Sequence, residues 1–308
     1  MKPVPVVFHI GPLQVHTYGI GLALTFWFAF TYFERRLRRN GYRSDWFVGV
    51  FLWIILAAVV GARALHVLSN LSYYTHNPDQ VVAIWHGGLS SFGGLLFAVP
   101  TGILLTRRRC PELPIGRALD IIAPVLLAAW ALGRLLGPQL MVAGGGHPTH
   151  QWFGMYYAGQ AGRRLPVPLF QATEDFCVYL VLIFIERRLA RWPDGSIRSG
   201  FPSGTVIGTA MVLWGIERTL DEHLWLGEDG HLGSLLVQIA GVLLVVGGAV
   251  VLVVTRRRWR EWLATHGPGQ DPEPEPGGQH AASGPPARLA VTLGTVDVAA
   301  RATTEVIT

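Results

Sequence analysis

Repeated apolar runs of roughly membrane-spanning length dominate this sequence, and they rule out most architectures before any motif is considered. About seven such runs occur, centred on residues 18–33, 46–68, 93–105, 118–136, 172–185, 203–215 and 232–254. A transmembrane helix needs roughly 20 apolar residues to cross the hydrocarbon core. The third, fifth and sixth runs are short, so they are expected to need flanking residues, tilt or irregular starts covered by protein. With 50% hydrophobic and 15% charged residues among 308, the chain is too apolar for an ordinary soluble protein of its size. The expected fold class is all-α, a polytopic integral membrane protein. No run combines a charged start, a short apolar stretch and a cleavage site, so the first helix is expected to be retained.

Charge sets the expected orientation. The formal net charge of +5 comes almost wholly from arginine, Lys2 being the only lysine. Clusters follow the first run (Arg35, Arg36, Arg38, Arg39), the third (Arg107, Arg108, Arg109), the fifth (Arg187, Arg188) and the seventh (Arg256, Arg257, Arg258). Residues 69–91 contain no Lys or Arg, and the long loop after Gly137 has only Arg163 and Arg164. By the positive-inside rule the N-terminus is expected outside, the C-terminus in the cytoplasm, and the number of spans odd. Arginines grouped in this way report topology and give no sign of a nucleic-acid partner. Cys110 and Cys177 lie far apart at or inside apolar segments, suggesting neither a disulfide framework nor a zinc site. Residues 266–308, rich in Pro and Gly, read as a disordered cytoplasmic tail behind a membrane domain of residues 1–265.

The chemistry centres on Arg134, which follows the apolar stretch 118–130 with no break in hydrophobic sequence. A guanidinium inside the bilayer costs at least a few kcal/mol, so such residues tend to face a bundle interior and to carry function. The expected role is a buried anion clamp; the alternative is a helix-end arginine that snorkels to the headgroups. The segment 85–95 is dense in glycine (Gly87, Gly88, Gly93, Gly94). It suits either an unwound segment lining a lipid headgroup site or close helix packing through small residues. Glu174 and Asp175 open the fifth run, where helix capping would account for them. Arg218 and Glu222, four residues apart, are spaced for an ion pair on one helix face. A second arginine beside Arg134 would call for an anion between them, and phosphate matches forked guanidinium donors.

These residues carry a resemblance to the prolipoprotein diacylglyceryl transferase family, running from about Phe8 to Val254. The motifs occur in the family's order: residues 11–19, Gly61-Ala62-Arg63, the Trp-x-Gly-Gly-x-Ser-x-x-Gly-Gly segment from Trp85 to Gly94, Asp120 to Pro124, Gly133-Arg134, Gln171 with Glu174, and Gly215 with Arg218 and then Glu222. Departures are equally specific. The family's histidine position is Phe92 here, with His86 displaced by six residues, and the asparagines and glutamate after Arg134 are absent unless Gln139 supplies one amide. The family's tyrosine before Gly215 is Trp214.

The resemblance implies an N-out, seven-span protein of the bacterial cytoplasmic (inner) membrane. It would move a diacylglyceryl group from phosphatidylglycerol to the thiol of a lipobox cysteine in a prolipoprotein signal peptide, forming a thioether. Arg134 and Arg218 would stabilise charge on the departing phosphate. Glu222, Glu174 or His86 would accept the thiol proton, and Tyr18 would position the headgroup. Gly87, Gly88, Gly93, Gly94, Arg63 and Gln171 would complete the substrate site. Membrane lipids are further expected partners, and no metal or organic cofactor is expected. Two alternatives remain open at this stage: a family member without catalysis that binds phospholipid or lipoprotein precursors, and an unrelated transporter or receptor. A transporter would be expected to carry an internal repeat with broken helices, and none is evident in the sequence.

Overall fold

Each apolar run coincides with a helix of the computed structural model, the second and sixth starting one and two residues ahead of theirs; the structure describes residues 7–10, 13–82, 90–136, 145–157, 160–189, 202–226 and 232–266. A short antiparallel hairpin, β1 (Val7–Ile10) and β2 (Leu13–His16), leads into α1 (Thr17–Arg39). Then come α2 (Phe47–Ser69), the short α3 (Leu71–His76) and a 3-10 turn (Pro78–Val82). Next are α4 (Ser91–Arg109) and α5 (Ile115–Leu136), and a second small hairpin pairs β3 (Met155–Tyr156) with β4 (Arg163–Arg164). The chain continues through α6 (Val167–Leu189), α7 (Thr205–Asp221), a π-helical turn (Glu222–Leu226) and α8 (Leu232–His266). The protein is therefore mostly helical, and the two hairpins are the departure from the all-α expectation. Residues 267–308, read from sequence as the tail, lie outside the described residues.

Among the described residues, four helices are long and apolar enough to cross a membrane: Phe47–Ser69, Ile115–Leu136, Val167–Arg188 and Val237–Thr265. Large hydrophobic side chains such as Trp27, Leu52 and Leu243 point outward, as a lipid-facing surface requires and a water-facing one does not. The long helices tolerate interior prolines at Pro100 and Pro124. In α5, one turn before Pro124, the Ile121 carbonyl accepts from Nε of the buried Arg36 at 2.8 Å. The same guanidinium meets Glu186 at 2.9 Å, and Tyr32 and Tyr179 share a 2.9 Å hydrogen bond. Polar contacts thus tie α1 to both α5 and α6.

Small residues hold the outer pairs. Gly61 of α2 and Gly93 of α4 face each other so closely that a Cβ on either would collide with the other's carbonyl oxygen. A Cβ on Gly215 of α7 would lie 2.6 Å from the Gly241 carbonyl oxygen of α8, and one on Gly248 would lie 2.7 Å from the Gly208 carbonyl oxygen. Without water to drive helices together, such close backbone approach supplies the van der Waals contact that does.

One buried acid locks α7 to α5. Asp120, 1% exposed, accepts from the Gly204 N–H at 2.8 Å and from the Ile207 N–H at 2.8 Å. It caps α7 from a neighbouring helix, while Gly204 at the N-cap adopts φ 98°, which glycine takes without strain. Removing a charged acceptor from two buried N–H groups should destabilise the fold by about 2–3 kcal/mol. Asp120→Ala is therefore expected to unfold at a clearly lower temperature in detergent, with Asp120→Asn in between; an unchanged midpoint would remove the cap from this account.

At the far end of α4 the loop is closed by an Arg43–Glu112 ion pair of 3.1 Å over the fully buried Cys110. Burial, followed by the hydrogen bond to Glu112, pushes the Cys110 thiol up to about 12. The folded thiol stays neutral, so its contribution to stability is whole below the ordinary thiol value of 9.0 and is lost as pH climbs from there toward about 12. Since the thiolate is the reactive form, Cys110 should resist a maleimide at neutral pH in the native protein and react after unfolding in SDS. Rapid labelling of the native chain would show the loop to be open.

Candidate functional site

Three helix ends bring the charged residues together. Arg134 lies in the last turn of α5, Gln171, Glu174 and Asp175 lie one to two turns into α6, and Glu217, Arg218 and Asp221 lie at the end of α7. These helices pack against one another, and i, i+3 and i, i+4 spacing keeps each acid on the same face as its neighbours. Both arginines occupy the final turn of their helix, where the macrodipole favours a cation.

Asp221 is the node. Its Oδ2 accepts from Gln171 Nε2 at 2.6 Å and from Arg218 Nη1 at 3.2 Å, with the Asp221 side chain 2% exposed. Glu174, Glu217 and Asp221 each bring a carboxylate oxygen within 4.8 Å of the others. Asp175, 1% exposed, adds a fourth carboxyl group beside Trp214. The Nε of Arg134 is buried, and its guanidinium interacts electrostatically with Arg218, Asp175, Asp221 and Glu217. Among the described residues Glu174 Oε2 and Glu217 Oε2 are buried without a hydrogen-bond partner. Two guanidiniums from different helices thus share one buried volume with four acids. Such a set can grip an oxyanion with its donors and take up a proton with its carboxylates. Three clustered carboxylates could also hold a cation, but two neighbouring guanidiniums oppose one.

The sequence-derived candidates fall into distinct places. Arg134, Arg218, Gln171 and Glu174 meet in this cluster. Arg218 pairs with Asp221, three residues on, rather than with Glu222, although the Glu222 N–H still bonds the Arg218 carbonyl. Glu222 itself is buried at the head of that turn. Glu174 and Asp175 are not caps: α6 begins at Val167, which puts them beyond the first turn in which capping charges act. Gln171 is engaged by Asp221. Arg63 donates to the Val81 carbonyl at 2.8 Å and the Gln80 carbonyl at 2.5 Å and lies over the Tyr74 ring, bracing the 3-10 turn.

Gly93 and Gly94 sit in regular helix against α2, so of the two roles open to them from sequence the close packing is the one visible. Ser90 caps α4 and its N–H donates to the Ala62 carbonyl. Tyr18 belongs to α1 by its backbone, but its side chain lies outside the described residues, as do His86, Gly87, Gly88 and Gln139. Reading the sequence missed Glu217 and Asp221 as members of the cluster. Their signal was present: acids four apart beside Arg218, in a helix otherwise rich in apolar residues.

Comparison with known proteins adds a second line. The family model for prolipoprotein diacylglyceryl transferase matches residues 5–254. The chain is 30% identical over 273 residues to a phosphatidylglycerol–prolipoprotein diacylglyceryl transferase of Bacillus licheniformis, covering 83% of this chain and 94% of that one. Proteins of the same description from Staphylococcus carnosus (26% over 269 residues, 83% and 92% covered) and Pediococcus pentosaceus (27% over 281 residues, 88% and 97% covered) are similar as well.

The Arg218–Asp221 pair is open to direct measurement. In a double-mutant cycle of Arg218→Ala and Asp221→Ala, thermal unfolding should report a favourable coupling on the order of 1–3 kcal/mol, as for a buried charge pair. Additive effects would mean that the two side chains do not depend on each other.

Proposed function

The chain belongs to the prolipoprotein diacylglyceryl transferase family, and we propose that the cluster at the ends of α5, α6 and α7 is where its reaction takes place. It is an enzyme that transfers the diacylglyceryl group of phosphatidylglycerol to a prolipoprotein. The acceptor in our reading is the lipobox cysteine of the signal peptide. Its sulfur forms a bond to the glycerol carbon while the bond from that carbon to the phosphate oxygen breaks. Glycerol phosphate departs with the electron pair, and the thiol proton passes to a carboxylate.

The observation that carries this reading is the convergence of Arg134 and Arg218, from separate helices, on the same acids: Arg218 pairs with Asp221 at 3.2 Å, and Arg134 interacts electrostatically with Arg218, Asp175, Asp221 and Glu217. A phosphate between two forked guanidiniums receives parallel hydrogen bonds from each, and preorganised donors that meet developing negative charge are a large source of catalysis. The carboxylates complement them in two ways. They balance the arginines before the lipid arrives, and they offer the thiol proton a destination. Asp221, already holding two donors, orients Arg218. Glu174 and Glu217, each with a buried oxygen outside those bonds, are better suited to take the proton. This division would let the chain work with Phe92 at the position of the family's histidine. Glu222, Tyr18, His86, Gly87 and Gly88 remain candidates for holding the substrate around this core.

We further read the protein as seven-spanning, with its N-terminus outside, in the bacterial inner membrane, and residues 266–308 as a cytoplasmic tail. The alternating arginine clusters support that topology. It would put the end of α5, the start of α6 and the end of α7 at the outer face, the same side for all three contributors to the cluster.

The decisive experiment is complementation of a transferase-depleted cell, with diacylglyceryl-modified lipoprotein as the readout. The unaltered chain should restore modification. Arg134→Lys and Arg218→Lys should each lose at least about tenfold in activity despite keeping the charge, because an ammonium lacks the planar fork. Full activity in either lysine variant would argue against two-armed phosphate binding.

A further inference from the structure

Arg134 faces two environments. Beyond the acids it closes one end of a cavity of about 450 Å³ between α1, α2 and α5, whose lining is aliphatic and aromatic apart from Thr25 and Arg134. The Thr25 hydroxyl already donates to the Gly21 carbonyl at 2.8 Å, and Arg134 is the charged residue of the lining. Ile122 and Arg134 both line the cavity, and at about 1.5 Å per residue they lie about 18 Å apart along α5. That is close to the depth of one leaflet, about 15 Å of hydrocarbon.

The shape follows from how α1 is pinned to α5. At the Arg134 end Gly21 sits against the Leu136 backbone with no room for a Cβ. At the other end Arg36 holds the Ile121 carbonyl. Between these points the helices leave a slot whose floor is aromatic: the buried Phe33 and Phe47 rings lie 4.5 Å apart, with Phe51 5.5 Å from Phe47. Leu22 and Phe26 line the slot and are themselves exposed, so it opens sideways to the bilayer. A space of this volume drawn out over this length accommodates an extended hydrocarbon chain. A peptide helix, about 10–12 Å across, does not fit.

We infer that this slot takes one acyl chain of the phospholipid donor, its phosphate end at Arg134, and that the Phe33–Phe47 floor sets the longest chain the enzyme accepts. The inference rests on the transferase reading and adds a chain-length determinant to it. A methylene outside the slot is still in hydrocarbon, so the preference is steric: a chain too long for a shortened slot overpacks it, with a shift on the order of tenfold.

The test uses the purified full-length chain, phosphatidylglycerols of stepped acyl length and a lipobox peptide. Ala29→Phe, which fills the slot from α1, should lower the ratio of kcat/KM for long-chain over short-chain lipid by about tenfold, because a long chain would overpack the filled slot. An unchanged ratio, or an equal loss on every chain length, overturns the assignment of the slot while leaving transfer itself in place. Loss of transfer from the unaltered protein on all lipids overturns both this inference and the function on which it rests. A second measurement needs no variant: phosphatidylglycerol carrying a photoreactive group at the chain terminus should label Phe33, Phe47 or Phe51 in the native protein. Labelling confined to the outer faces of the helices overturns the proposal.

Discussion

Hydrocarbon offers a charged side chain no partner, so every ion inside this helical bundle must be answered by another part of the protein. That requirement explains why α5, α6 and α7 meet where they do. Arg134 and Arg218 are held among Asp175, Glu217 and Asp221, and no one of the three helices could carry its share of these groups alone. Asp221 shows the logic most directly: one oxygen joins an amide from α6 to a guanidinium of its own helix, α7. Asp120 extends it to backbone, answering two N–H groups at the start of α7 from the second turn of α5. Arg36 does the same for α1, meeting a carbonyl beside a proline and a carboxylate on α6.

Glycine contacts and polar contacts divide the remaining work. Where helices need only to adhere, as α2 with α4 and α7 with α8, backbone meets backbone through facing glycines. Where helices must be oriented, a polar group fixes the geometry. The α1–α5 pair combines the two, a close glycine contact at one end and an arginine at the other. Because both ends are tied, the middle can stay apart without collapsing, and the cavity beside Arg134 is the result.

The same arrangement suits the chemistry. A phosphate that leaves a glycerol carbon needs preorganised positive charge, whereas a thiol that attacks it needs a base. Positive charge and base are normally hard to keep together in an apolar setting without forming closed ion pairs. Here the acids outnumber the arginines, and Asp221 absorbs one pairing, so that other carboxylates stay available.

Much was legible in the sequence. Length and hydrophobicity of the runs required membrane helices, and the arginines marked their ends, because insertion energies depend on local composition alone. Arg134 could be singled out for the same reason, a charge being expensive in an apolar run wherever the run ends up, whereas Arg218 stood out by its spacing to Glu222 and by the family resemblance. The tertiary structure decided which groups meet. That Arg218 shares Asp221 with Gln171 depends on two helices meeting, and that Gly93 packs on Gly61 depends on a crossing between distant segments. The slot between α1 and α5 is a property of separation rather than of any residue, so no pattern along the chain could announce it. Local composition fixes the cost of putting a residue in the membrane, whereas the partner that offsets that cost comes from wherever packing brings it.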